Sequence, residues 1–129
     1  MNLPLACIPA ALAIVYATKI PVAIAMKNAP GGYDNRHPRD QQASLSGWGK
    51  RAAAAHTNGF EAFPPFAAGV LVAQITGANP QWAAILAVTH VVARAIYPAL
   101  YIANVDRARS LVWSVGLACS FGLMLLPLL

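Results

Sequence analysis

Long apolar stretches separated by short polar ones dominate the chain. A helix needs about 20 mostly apolar residues to cross the hydrocarbon core of a bilayer, and four stretches reach that length. The first is interrupted by Lys19 and Pro21, and the second is polar in its first half. We therefore predict four membrane-spanning helices, at about residues 3–26, 51–76, 81–104 and 110–128.

The segments between these helices have the composition of loops and turns. Residues 27–50 are rich in Gly, Pro, Asn and Asp, which is typical of a loop. "GANP" at 77–80 predicts a tight turn, with Pro80 suited to the first turn of the next helix. "VDRARS" joins the last two helices. We predict one all-α domain over residues 1–129, an integral membrane antiparallel four-helix bundle.

The composition excludes an ordinary soluble domain. Hydrophobic residues make up 58% of the chain and charged residues 10%, against about 45–50% and about 25% in soluble domains. The net charge of +5 does not indicate nucleic-acid binding, because the basic residues lie in two loops rather than on one polar face. Cys7 and Cys119 lie in apolar segments, so we expect neither a disulfide nor a metal site.

The basic residues indicate how the chain is oriented in the membrane. Lysines and arginines collect on the cytoplasmic side of membrane proteins. Here they concentrate in the first and third connections, as Lys27, Arg36, Arg39, Lys50, Arg107 and Arg109. The second connection has none. We predict that both termini lie on the non-cytoplasmic side, in a bacterium the outer side of the inner (cell) membrane.

Polar residues form one stripe on each of two predicted helices. On the second helix the stripe comprises Arg51, Asn58 and Glu61, within about 80° at 100° per residue. On the third it comprises His90, Arg94, Tyr97 and Tyr101, within about 60°. Polar side chains inside a span normally face the bundle interior or a water-filled cavity.

The two stripes also match in depth. Glu61 and Arg94 each lie about 15 Å from the cytoplasmic end of their helix. Since an unpaired charge there is costly, we predict a Glu61–Arg94 ion pair, within one subunit or between two. The stripes would form a funnel for a small anionic molecule, beside a pocket that contacts lipid. The alternative is that the polar groups only hold the helices together.

Other polar or helix-breaking residues receive no catalytic role. His56 lies off the stripe and His90 lies deeper than the funnel, so both are interpreted as packing residues. Lys19 could reach the funnel or extend outward. Pro64 and Pro65 follow Glu61 and could bend the helix.

Three motifs then resemble a known family. They are "HTNGFEAFPPF" at 56–66, "RAIYPALY" at 94–101 and "RS" at 109–110. They are similar to motifs of the MAPEG family, the membrane-associated proteins in eicosanoid and glutathione metabolism, which includes microsomal glutathione transferases. The resemblance implies a homotrimer that binds glutathione between neighbouring subunits near the cytoplasmic side, with a lipophilic second substrate arriving through membrane lipid.

The resemblance also implies the residues of a site. Those expected to bind or brace glutathione are Arg51, Asn58, Glu61, Arg94, Tyr97 and Tyr101. Arg109 would hold the glutathione sulfur as a thiolate, with Ser110 as a nearby hydroxyl. A free thiol ionises at about pH 8.5, and an adjacent guanidinium favours the nucleophilic thiolate.

Two departures from the family concern the arginines of its glutathione site. Members that use glutathione usually carry an arginine four residues before the asparagine, and some have another directly before it. Ala54 and Thr57 occupy these positions here, and Arg51 is the candidate replacement. The leading hypothesis is a membrane glutathione S-transferase or a peroxidase-like enzyme acting on lipophilic substrates. The alternative is a non-enzymatic protein of the same fold that binds a small anion, a lipid or a protein partner.

Overall fold

A computed structural model describes residues 2–129, and in this range the chain is helical with no β-strand. The helices are α1 Leu3–Ala17, α2 Lys19–Lys27, α3 Pro38–Ser44, α4 Gly47–Ile75, α5 Pro80–Ile102 and α6 Asp106–Leu125. A 3₁₀ turn, Leu126–Leu128, follows α6. Three of the four predicted long helices are present as α4, α5 and α6, each with ends shifted by a few residues.

The segment predicted as one helix over residues 3–26 is two helices, α1 and α2. Thr18 lies between them, and its hydroxyl donates a hydrogen bond to the Val15 carbonyl at 2.5 Å. Such local bonds compete with the helical ladder. Pro21 has no N–H to donate to the preceding turn, which weakens the same place. Together α1 and α2 form an apolar segment, Leu3–Lys27, of 25 residues.

The loop predicted over residues 27–50 contains a short helix, α3. Pro38 is the first residue of this helix. The Gln41 side chain links the helix to the preceding loop: it accepts a hydrogen bond from the Asp34 N–H at 2.8 Å and donates one to the Gly32 carbonyl at 2.7 Å. Asp34 in turn accepts from the His37 N–H at 3.0 Å. This bond is the main reason that the pKa of the Asp34 carboxyl is lowered. The loop is therefore ordered, and α3 packs against α2 and α4.

The predicted turn between α4 and α5 is confirmed. Gly77 has a φ of +68°, a left-handed conformation that favours glycine. Asn79 then caps α5 by accepting hydrogen bonds from the Gln81 and Trp82 N–H groups at 3.0 and 3.1 Å. Pro80 occupies the first turn of the helix. This is the chemistry expected of an Asn-Pro helix start.

Within residues 2–129, three helical segments are long and apolar enough to cross a membrane: Leu3–Lys27, Pro80–Ile102 and Asp106–Leu128. Helix α4 is long enough but its first half is too polar, since Lys50, Arg51, His56 and Glu61 fall within it. It nevertheless runs unbroken through Pro64 and Pro65. Helix α4 also packs against α1, α2, α5 and α6, so it is central to the fold.

The second half of α4 contributes to a hydrophobic core that it shares with α1, α5 and α6. Phe66 and Val70 are fully buried there with Leu123 of α6. Gly69 lets the two helices approach closely, because a Cβ at this position would lie 2.8 Å from the Ser120 carbonyl oxygen. The first half of α4 instead borders polar cavities, and these form the candidate site.

Candidate functional site

Two adjacent tyrosine rings with an arginine at each end form a line that runs along α5 and ends on α6. The Arg94 guanidinium lies over the Tyr97 ring at 4.4 Å, and the Arg109 guanidinium lies over the Tyr101 ring at the same distance. The two tyrosine rings meet edge to face with centroids 5.7 Å apart. Spacings of three and four residues place Arg94, Tyr97 and Tyr101 on one helix face. We call this line the Arg–Tyr ladder.

The turn between α5 and α6 brings Arg109 back over the ladder. Asn104 has a φ of +61°, and the Val105 N–H donates to the Leu100 carbonyl at 3.0 Å, which reverses the chain within a few residues. Asparagine is among the residues that tolerate this conformation. The Arg109 side chain can then reach Tyr101 because α6 begins at Asp106 and runs back along α5.

Two neighbouring cavities lie beside the Arg–Tyr ladder and are lined by its residues. The outer cavity, about 200 Å³, is lined by Tyr97, Tyr101, Arg109, Ser110 and Trp113. It contains both residues to which the sequence assigned the sulfur chemistry.

The inner cavity, about 140 Å³, lies between α4, α5 and α6. Its walls include Asn58, Glu61, His90, Arg94 and Trp113. Trp113 borders both cavities, so the outer and inner cavities share a wall. Seven of the eight residues predicted to form the site line one cavity or the other.

The predicted Glu61–Arg94 ion pair does not form within the subunit. Among residues 2–129 the one ion pair within 4 Å joins His37 and Asp34. Arg94 is 6% exposed and its guanidinium lies over Tyr97 of its own helix. Glu61 is exposed and accepts a hydrogen bond from the Asn58 amide at 3.3 Å. Both residues line the inner cavity without meeting, and a pair between neighbouring subunits stays a prediction.

Arg51 is the predicted site residue that lies in neither cavity. Its Nε donates a hydrogen bond to the Ile102 carbonyl at 3.0 Å, at the last residue of α5. The last carbonyls of a helix lack partners within the helix, and an arginine there satisfies one of them. The structure therefore gives Arg51 a capping contact that the sequence did not reveal.

The two helical histidines differ in their surroundings. The His56 Nδ1 lies 2.8 Å from the Thr18 hydroxyl and 3.2 Å from the Val15 carbonyl oxygen, which ties α4 to the break between α1 and α2. His90 is 1% exposed and stacks on Phe66 with ring centroids 3.9 Å apart.

His90 is nevertheless part of the site. The sequence placed it deeper than the funnel, but its ring lines the same inner cavity as Arg94. It lies one helical turn before Arg94 on the polar stripe of α5, and that spacing was the signal that could have identified it.

A third cavity, about 750 Å³, lies on the other face of α4 and was not predicted. Lys19 turns toward it and donates to the Gln42 side chain at 2.9 Å, rather than extending outward. Arg39 and His56 add further basic groups to its walls, while Glu61 borders both this cavity and the inner one. Arg39 and Gln42 come from the α3 segment, so recognising the cavity required the fold of that loop.

No group of three or more His, Cys, Asp or Glu side chains within residues 2–129 is placed to hold a metal ion. The arrangement offers arginines, tyrosines, amides and one carboxylate, which suits the binding of a charged, hydrogen-bonding organic molecule.

Comparison with known proteins assigns the family. The family model described as "MAPEG family" matches residues 3–129. The searches of curated proteins and of solved structures gave no match. The family and the three apolar helices together indicate a membrane protein, with a role related to glutathione or eicosanoid metabolism. The chain belongs to the MAPEG family.

Proposed function

We propose that the protein is a membrane glutathione S-transferase or a glutathione-dependent peroxidase-like enzyme that acts on lipophilic substrates. The glutathione thiolate would be the nucleophile or reductant. The apolar substrate would arrive from the bilayer.

The position of Arg109 is the observation that carries this proposal. Its guanidinium is fixed over Tyr101 at 4.4 Å and lines the outer cavity beside Ser110. A thiol placed in that cavity would have a cation and a hydroxyl within reach, and both favour its ionised form. Arginine suits this position near a membrane surface, because it stays charged where a lysine can lose its proton.

Glutathione also carries two carboxylates, which need cationic partners. Arg51 is engaged with the end of α5, and Ala54 and Thr57 supply no charge. The third cavity contains Lys19, Arg39 and His56. We propose that these basic groups, facing a neighbouring copy, take the carboxylates in place of the missing arginines.

That arrangement requires the assembly implied by the family. We propose four membrane-spanning helices, formed by the α1–α2 pair, α4, α5 and α6, in a homotrimer. The exposed position of Glu61, which borders both the inner and the third cavity, supports a subunit boundary at this place. Burial between subunits would remove a carboxylate from lipid. The basic loops would face the cytoplasm and both termini the opposite side.

A glutathione titration of the detergent-purified protein, followed by the ultraviolet absorbance of the thiolate, tests the proposal. The wild type is expected to show a saturable thiolate signal. Arg109→Ala is expected to weaken or remove it by about 10- to 100-fold, the effect of losing a charged hydrogen bond. Arg107→Ala, an exposed arginine in the same turn, is the matched control and should keep the signal.

The alternative is a non-enzymatic protein of the same family that binds a small anion, a lipid or a protein partner. Ala54, Thr57 and the engagement of Arg51 favour it. Saturable glutathione binding without thiolate would support this alternative. No binding at millimolar glutathione would remove glutathione chemistry altogether.

A further inference from the structure

Two lysines and a tryptophan lie together where α2 crosses the start of α4. Lys27 is the last residue of α2, and Trp48 and Lys50 belong to the first turn of α4. Gly49 is at the crossing: a Cβ there would lie 2.8 Å from the Ala25 Cβ, so glycine lets the two helices approach closely. Both lysines therefore lie within two residues of this contact. We call Lys27, Trp48 and Lys50 the basic cluster.

The charges of the basic cluster are not neutralised within the chain. Lys27 and Lys50 are exposed, and within residues 2–129 neither has a carboxylate within 4 Å. Both also lie outside the inner, outer and third cavities, so the glutathione proposed there gives them no partner. Cations at one crossing repel each other, and an anion bound between them removes that cost.

An apolar face of α2 leads to the basic cluster. Ile20 and Ile24 are 62% and 48% exposed, and with Lys27 they lie within about 60° at 100° per residue. Helix α2 belongs to a segment long and apolar enough to cross a membrane. The isoleucines would then contact lipid chains, with the lysine at the level of the head groups. Trp48 is 41% exposed, and tryptophan concentrates at this same interface.

We propose that the basic cluster binds the phosphate head group of an anionic phospholipid, on the side of the membrane proposed above to be cytoplasmic. Lys27 and Lys50 contact the phosphate, Trp48 lies beside the glycerol, and an acyl chain follows Ile20 and Ile24. A soluble phosphate or an acidic protein would meet the charges but would leave the isoleucine face unused. The charge at the end of an apolar face therefore favours the lipid.

Trp48 fluorescence tests the proposal in a Trp82→Phe, Trp113→Phe background. The protein is placed in nanodiscs of phosphatidylglycerol and phosphatidylcholine, and bromine, which quenches tryptophan, is carried on the acyl chains of one lipid or of the other. The lipid composition, and with it the surface charge, is the same in both arms. We expect phosphatidylglycerol to associate about 5- to 25-fold more strongly beside Trp48, since each lysine near an anionic surface contributes about fivefold.

Exchange of the two lysines separates the basic cluster from the general charge of the protein. The double variant Lys27→Gln, Lys50→Gln should bring the preference for phosphatidylglycerol close to one. Arg107→Gln removes an exposed cation from the connection between α5 and α6 and should keep the preference. All of these positions are exposed, so the variants are expected to fold.

Equal quenching by the two brominated lipids in the wild-type cluster overturns the proposal. It is also overturned if the double lysine variant keeps the full preference, or if Arg107→Gln loses as much of it. Displacement of the lipid by a few millimolar inorganic phosphate, or by micromolar poly-glutamate at matched ionic strength, would assign the cluster to a soluble anion or an acidic protein instead. Because glutathione is absent throughout, failure here is distinct from failure of the thiolate titration.

Discussion

The two halves of α4 belong to one continuous helix but differ in polarity and in what they contact. Residues 62–75, the apolar half, contribute Phe66 and Val70 to the hydrophobic core and pack closely on α6 through Gly69. Residues 47–61, the polar half, contribute Asn58 and Glu61 to the cavities. Both halves bury core residues, since Ala52 and Ala55 of the polar half are 1% and 0% exposed, but the polar side chains of α4 that line the cavities lie in the polar half. Substitutions of Phe66 or Val70 should change folding, whereas substitutions of Asn58 or Glu61 should chiefly change binding.

The largest effect is expected from the matched pair Gly69→Ala and Gly59→Ala. A Cβ at Gly69 would lie 2.8 Å from the Ser120 carbonyl oxygen, whereas one at Gly59 would lie 3.5 Å from Val15 side-chain atoms. Gly69→Ala should destabilise the protein by about 2–3 kcal/mol through overpacking. Gly59→Ala should be neutral or stabilising by about 0.5–1 kcal/mol, because alanine is the better helix former.

Thermal unfolding in detergent, followed by circular dichroism, measures both variants. If the two glycines respond alike, the difference in packing between these two positions is wrong.

A smaller effect is expected at Tyr101, which supports Arg109 in the ladder. Tyr101→Leu removes the ring beneath the guanidinium, and the lost cation–π contact is about 0.5–1 kcal/mol. Thiolate formation by glutathione should weaken about two- to fivefold, with little change in thermal stability. Tyr101→Phe keeps the ring and is the control. An equal loss in both variants would assign the effect to the hydroxyl rather than the ring.

The smallest effect concerns the loop that contains α3. The pKa of Asp34 is lowered chiefly by the hydrogen bond from the His37 N–H. A lowered pKa in the folded state means that the contribution of the carboxylate to stability is complete above the ordinary value of 3.8 and is lost as the pH falls through the lowered value. Hydrogen exchange of the His37 amide should speed up at that low pH, after allowance for intrinsic rates. Asp34→Asn should remove this dependence, and an unchanged profile would contradict it.

The positions of the long helices could be predicted because apolar length and capping chemistry are local. The Asn79–Pro80 start of α5 was fixed by adjacent residues, and the break near Pro21 was visible as a weakness. Helix α3 was missed because its order depends on Gln41 bonding to backbone groups elsewhere in the loop. No local pattern shows such contacts.

The site could be predicted only in part. Helical spacing correctly placed Arg94, Tyr97 and Tyr101 on one face of α5. It could not show that an aromatic ring would take the place of Glu61 beside Arg94, since that choice depends on side-chain direction and on the width of the gap between α4 and α5. The hydrogen bond from Arg51 to the Ile102 carbonyl could not be predicted for the same reason.

The sequence by itself determined the helical class, the apolar segments, the family motifs and seven of the residues that line the inner and outer cavities, because these follow from composition, periodicity and local motifs along the chain. The tertiary structure decided which charges are paired, which face of α4 each cavity occupies, and that His90 belongs to the site. These outcomes depend on distances of a few ångströms between residues far apart in sequence. Helical spacing fixes the direction of a side chain but not what it meets.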